Sequence, residues 1–467
     1  MVIIGGGPGG YTGAIRAGQY GLKVALIERE KKLGGTCLHV GCIPTKSLLF
    51  DAEVYDHLKN ATEHGIEGVG QVTINWKTIL DRKNGIVTKH VKGLEFLMRK
   101  NKVTTIEGYG RFTGPAKEGI HSISVEAANG EKKVVQARNV VIATGSDARM
   151  LPGIEPDARS ILTNIEILAL PQIPKSMVVI GAGAVGVEFG SIFKSFGSEI
   201  TVVEYLPRLV PNEDEDVSKE LSRVFRKRGI DTYTGAKVDQ VEKTKDGVKV
   251  TFTGTDGKQV AKEAETVLVA VGRAPRSENL GLESTKVELE RGFVRVDQWM
   301  QTGEPGVFAI GDVVAGLPQL AHVAAMAGMV VAARVAGKPA RPVRRDRIPA
   351  CTYCEPQIGS VGLTEAQAKA AGHEVKVGKF PFSANSKASI VGSHEGFVKV
   401  VADAKHGELL GVHIIGPQAT EMIAEAVVAL ELEATVEELM FTIHAHPTLA
   451  EAMLDGFGAV ENMAINV

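Results

Sequence analysis

Two stretches of the chain follow one plan. "MVIIGGGPGGYTGAIRAGQYGLKVALIERE" starts at Met1 and "SMVVIGAGAVGVEFGSIFKSFGSEITVVEY" at Ser176. Each reads as a short Val/Ile strand, a glycine turn, a helix of small residues and a second strand ending in an acid. Such a βαβ unit builds a parallel sheet with the helix laid across it. Its recurrence predicts an α/β chain with two Rossmann-like dinucleotide-binding domains.

Both turns carry three glycines, Gly5-x-Gly7-x-x-Gly10 and Gly181-x-Gly183-x-x-Gly186. The first permits the tight turn, the second lets the backbone approach a pyrophosphate, and the third lets helix and strand pack. A diphosphate then sits at the helix N-terminus. Glu28 and Glu204 each follow the first glycine by 23 residues, where a carboxylate can accept hydrogen bonds from a ribose. At the second loop that acid favours the free 2′-hydroxyl of NAD over the 2′-phosphate of NADP, and neither Tyr205 nor Leu206 supplies a cation for a phosphate. Two such sites suit an electron relay, so the first is expected to hold a flavin, FAD. "AIGD" (Ala309 to Asp312) agrees, since a strand ending in Gly-Asp can place its carboxylate on a ribityl hydroxyl.

From about Ile348 the pattern changes to alternating strands ("VKVVADA", "LLGVHIIG") and two amphipathic helices, 419–432 and 436–443, with no glycine loop. A net charge of -2 gives no reason to expect nucleic acid or an anionic membrane as partner. The longest apolar run, "VAAMAGMVVAA" from Val323, is too short for a membrane span, and no signal-like segment opens the chain. Four cysteines cannot frame a disulfide-dense secreted protein, so a cytoplasmic, reducing setting is expected.

Two of those cysteines, Cys37 and Cys42, share the stretch "GGTCLHVGCIPTK". Zinc would need two more ligands, and His39 points to no obvious fourth partner, so no metal is expected. A structural disulfide across so small a loop would add little stability. A redox couple fits a chain with flavin and nicotinamide sites. Cys37 is expected in a loop and Cys42 at the entry to a helix, whose dipole stabilises a thiolate. Lys46, one turn on, adds positive charge on the same face. Thiol–disulfide exchange also needs a group to take and return a proton. "HAHPTLAE" (His444 to Glu451) offers a histidine followed five residues later by a glutamate, a pair able to fix a tautomer and raise basicity. By spacing alone an ordinary surface histidine would serve equally; the redox context favours a base.

"GGTC…GC.PTK", "ATGS", "VGRAP", "AIGD" and "HAHPT..E" together span the whole chain. On them it resembles the class I pyridine nucleotide–disulfide oxidoreductases, and within these the flavoproteins of 2-oxo acid dehydrogenase and glycine cleavage complexes. The resemblance implies an FAD-binding domain in two parts (1–150 and 275–346), an NAD-binding domain (151–274) and a C-terminal α+β interface or dimerisation domain (347–467). It implies that Cys42 lies nearer the flavin and that Cys37 exchanges with the substrate. Lys46 would lie by the flavin and pair with Glu188 near the nicotinamide. Ala143, Thr144, Gly145 and Asp312 would belong to the FAD site, and Gly272 to the NAD site. His446 rather than His444 would be the base, oriented by Glu451 and reaching the disulfide of the other subunit in a homodimer. The implied reaction is oxidation of protein-bound dihydrolipoamide with NAD+. The implied partner is a lipoyl-bearing acyltransferase (E2) or the lipoyl protein of glycine cleavage.

His39 departs from the asparagine usual in that family and reads as a solvent-facing substitution. Cys351 and Cys354, a CxxC in a strand-like segment, read as unlinked thiols. An NADPH-dependent reductase of a small thiol such as glutathione is opposed by Glu204. Mercuric reductase is opposed by a C-terminus without its cysteine pair, and a non-catalytic subunit by the complete set Cys37, Cys42, His446 and Glu451. The role given to Glu204 predicts that turnover with NADH far exceeds turnover with NADPH; equal efficiency would contradict it.

Overall fold

Val2–Ile4 is buried throughout because the sheet it enters is covered on both faces. It forms the middle of a five-stranded parallel sheet ordered Val307–Ala309, Val140–Ile142, Val2–Ile4, Ala25–Glu28, Thr104–Glu107. The computed structural model describes residues 1–466. The chain is α/β, with two Rossmann-like sheets and a C-terminal α+β section.

The first sheet belongs to a compact unit made of residues 1–47, 78–149 and 273–343. Across it lies the helix Pro8–Gln19, paired with the helix Ala321–Val335. The Ala/Gly composition of the latter has a packing cause. A Cβ on Gly328 would stand 2.4 Å from the carbonyl oxygen of Gly9, so only glycine permits this approach. A three-stranded antiparallel sheet, Tyr109–Phe112, His121–Glu126 and Lys132–Ala137, belongs to the same unit.

The second unit comprises residues 48–77, 150–272 and 344–466 of those described. Its parallel sheet runs Asp231–Tyr233, Glu199–Val203, Ser176–Ile180, Thr266–Val269, Ile161–Leu162. The C-terminal section is a five-stranded antiparallel sheet, ordered Ala350–Thr352, Gln357–Gly362, Leu409–Gly416, Phe397–Asp403, Val375–Pro381. The helices Ala419–Glu431 and Glu451–Val460 cover it over a core that includes Phe380, Ile414, Ile423, Met453 and Phe457.

Within this unit a buried polar seam joins the C-terminal sheet to the nucleotide fold. Ser360, His413 and Lys399 face one another across three strands. Lys399, with 3% of its side chain exposed, meets Asp214 at 2.9 Å, Glu365 at 2.9 Å and Asp216 at 3.1 Å. Beside them, burial pushes the Glu213 carboxyl up to about 7; the Ser360 bond opposes this and Asp214 adds to it. The unfolded chain releases this proton near the ordinary carboxyl value of 4.5, whereas the folded chain keeps it until about 7. Stability therefore falls as pH rises through that window. Glu213→Gln should raise stability at about pH 8 by on the order of 3 kcal/mol and leave it unchanged at about pH 4. Denaturant titrations at the two pH values measure the difference.

Candidate active site

The two glycine turns are superimposable in their chemistry. Glu28 accepts from the Gly6 N–H at 2.7 Å and the Glu30 N–H at 2.9 Å; Glu204 accepts from Ala182 at 2.6 Å and Leu206 at 2.7 Å. Each carboxylate thus braces the turn it was expected to serve from a distance, with lone pairs left for a ribose. Gly5 lies against the Ala143 carbonyl and Gly181 against that of Ala270, where a Cβ would come within 2.2 and 2.4 Å. A Cβ on Gly10 or Gly186 would come within 1.8 or 1.9 Å of the carbonyl of the loop's own first glycine.

The middle glycines differ. Gly183 faces open space, and a Cβ on Gly7 would meet only the Gly35 Cα at 3.9 Å. The helices that follow, Pro8–Gln19 and Ala184–Ser195, have no side-chain cap, so first-turn N–H groups remain for a diphosphate. Both loops fit a dinucleotide.

The rest of the first unit's site collects around its loop. Thr144 donates to the Arg276 carbonyl at 2.6 Å, and Gly145 accepts from the Arg276 N–H at 2.9 Å. Ser146 donates to Asp312, and Arg273 donates to Ser146 Oγ at 2.7 Å, with its Nε 3.7 Å from Asp312. Arg273 and Arg276 escaped the sequence reading; "VGRAPR" was the available signal, since the strand Arg273–Pro275 pairs antiparallel with Ser146–Ala148.

Cys37 lies in a short helix, Gly35–Val40, and not in the loop expected from its glycine-rich surroundings. Gly34 and Gly35, at φ +127° and +59°, turn the chain so that this helix lies against the phosphate loop. A Cβ on Gly35 would stand 2.7 Å from the Gly7 Cα. The Gly34 N–H donates to the Gly6 carbonyl at 2.9 Å. His39, expected to face solvent, is half-buried and donates from Nε2 to the Leu33 carbonyl at 2.9 Å. Cys42 opens the helix Cys42–Lys59. The two cysteines are not joined by a disulfide here. The hydrogen bond with Cys42, then burial and the charge at Cys42, push the Cys37 thiol up, against the pull of Lys46.

In the second unit, His446 donates from Nδ1 to Glu451 at 2.9 Å, leaving the Nε2 lone pair on a ring that is 71% exposed. Burial would raise the Glu451 carboxyl, but the Thr448 N–H at 2.8 Å and His446 outweigh it and hold it low. His444 has a separate partner, Glu425, at 2.9 Å. Glu188 is buried on the helix Ala184–Ser195 and accepts from the Tyr353 N–H at 2.9 Å. Gly272, at φ +109°, has open space where a side chain would project. Cys351 and Cys354 are unlinked, and burial pushes the Cys354 thiol well up, away from reactivity. No group of three metal-ligating residues occurs among the described residues, and no helix there is long and apolar enough to cross a membrane.

Comparison with known proteins shows the family of the chain. Residues 1–328 match the family described as pyridine nucleotide-disulphide oxidoreductase, and residues 348–456 match its dimerisation domain. The chain is similar to a dihydrolipoyl dehydrogenase of Bacillus subtilis, 46% identical over all of this chain and 98% of the relative. It is 45% identical to one of Cupriavidus necator, over 100% and 99% of the two chains. Its fold resembles the crystal structure of LpdA from Mycobacterium tuberculosis, with a TM-score of 0.89 over 98% of each chain at 28% identity.

The close approach at the second loop makes Gly186→Ala a probe of it. The KM for NADH should rise roughly tenfold or more as the turn is displaced. Flavin content, read from absorbance, should be unchanged because the first loop is untouched.

Proposed function

We propose that this chain, which belongs to the pyridine nucleotide-disulphide oxidoreductase family, is a dihydrolipoyl dehydrogenase that oxidises protein-bound dihydrolipoamide to lipoamide and reduces NAD+ to NADH. The carrying observation is the hydrogen-bonded pair Cys37 and Cys42, on two successive helices, the first launched from a turn stitched to the dinucleotide loop at Gly6. When bound, FAD and NAD+ would supply the successive acceptors for the electron pair that leaves the two sulfurs. Gly5, Gly7, Gly10, Glu28, Ala143 to Gly145, Lys46 and Asp312 are assigned to FAD. Gly181, Gly183, Gly186, Glu188, Glu204 and Gly272 are assigned to NAD.

The chain's own residues carry the thiol chemistry. With Cys37 and Cys42 joined as a disulfide, a dihydrolipoyl thiol gives its proton to Nε2 of His446 of the partner subunit and attacks Sγ of Cys37. The Cys37–Cys42 bond breaks, and Cys42 leaves as thiolate. The second lipoyl thiol then attacks the first lipoyl sulfur, closing lipoamide and releasing Cys37, which takes the second proton. Glu451 fixes the tautomer that leaves Nε2 free.

The dimerisation domain supports a homodimer. Leu432, Phe441 and Ile443, which are 75%, 69% and 97% exposed, give the region of His446 an apolar surface suited to a partner subunit. The lipoyl group would arrive on an acyltransferase (E2) or a glycine cleavage lipoyl protein, in the cytoplasm.

Cys42→Ser should abolish NADH formation from dihydrolipoamide, since no disulfide can form; full turnover would overturn the assignment. His446→Gln should slow dihydrolipoamide oxidation by about 10²- to 10⁴-fold, the usual worth of a positioned base.

A further inference from the structure

His444, two residues before the proposed base, takes no part in the chemistry above. Its side chain is 8% exposed, against 71% for His446. Nδ1 lies 2.8 Å from the Thr442 carbonyl oxygen, and Nε2 lies 2.9 Å from the Glu425 carboxylate on the helix Ala419–Glu431. A carbonyl and an ionised carboxylate only accept, so both ring nitrogens donate, which requires the imidazolium. Burial opposes that charge, but Glu425 and the Thr442 carbonyl outweigh it and raise the ring's pKa. Glu451, on the helix Glu451–Val460, also reaches His444 with its charge, and the charge on His444 in turn helps hold Glu451 ionised.

Glu451 therefore serves two rings. It bonds His446 directly and lies in the field of His444. A carboxylate bonded to an imidazole makes that ring more basic. A standing positive charge beside the same carboxylate disfavours a second cation and pulls the basicity back. We infer that His444 is a positioning residue: an imidazolium held by Glu425 that keeps His446 unprotonated, and so able to take a thiol proton, at the pH where the enzyme works. The inference rests on His446 being the base.

The test is the pH profile of kcat/KM for dihydrolipoamide in the flavin-loaded protein. A base acts as the neutral ring, so its acidic limb marks the protonation of His446. Loss of a nearby positive charge raises that protonation, and His444→Gln should move the limb to higher pH by about half a unit or more. That shift lowers the rate about threefold on the acidic limb and leaves the alkaline plateau unchanged. His444→Lys, which restores a cation opposite Glu425, should bring the limb back. A purely structural role would lower kcat/KM at every pH without rescue by lysine, and an unmoved limb in His444→Gln overturns the inference.

If neither variant folds, carbon-13 spectra of labelled histidine in the unsubstituted protein decide. One ring still imidazolium at about pH 7.5, well above the ordinary histidine value, supports the inference; all twelve rings neutral there overturns it. His446→Gln at full rate would be a separate failure, that of the base assignment itself.

Discussion

The architecture of the redox site depends on both ends of one peptide residue. Gly6 gives its N–H to Glu28 at 2.7 Å and receives the Gly34 N–H on its carbonyl at 2.9 Å. The first bond ties the phosphate loop to the end of the second strand. The second ties the loop to the turn that launches the Cys37 helix. His39 tightens the same turn through the Leu33 carbonyl, and Leu33 itself packs on Gly6, where a Cβ would stand 2.7 Å from its Cδ2. A redox pair must hold its distance from a flavin to small tolerance. Here that distance is set by a few backbone bonds within one compact unit.

Charge is distributed to match. The hydrogen bond with Cys42 and burial push the Cys37 thiol up, with Lys46 opposing from the following helix. In the proposed mechanism proton transfer falls to the exposed Nε2 of His446, whose other nitrogen is committed to Glu451. Carboxylates do three different jobs in this chain. Glu28 and Glu204 brace turns, Glu425 and Glu451 set the states of two histidines, and Glu213 is kept neutral by burial. Environment, and not residue type, separates them.

Much of this was legible in the sequence because it is local. Strand, glycine turn, helix and acid follow one another within a single βαβ unit, and the spacing of His446 and Glu451 survives directly as a 2.9 Å hydrogen bond. What escaped depends on tertiary neighbours. Cys37 was placed in a loop because a helix flanked by glycines has weak local propensity; docking of Gly35 on Gly7 overrides it. The partner of His444 is 19 residues upstream on another helix, and Lys399 meets Asp214 across 185 residues, so no periodicity could announce either. His39 looked like a surface change because its acceptor is a backbone carbonyl, which leaves no mark on composition.

The account turns on unequal roles for the two sulfurs, and trapping the mixed disulfide tests that directly. Reduced Cys42→Ser and Cys37→Ser proteins are each exposed to oxidised lipoamide under anaerobic conditions, and the adduct is located by peptide mass mapping. The predicted result is a lipoyl adduct on Cys37 in the first protein and none on Cys42 in the second. An adduct on Cys42, with Cys37 unmodified, would contradict the account.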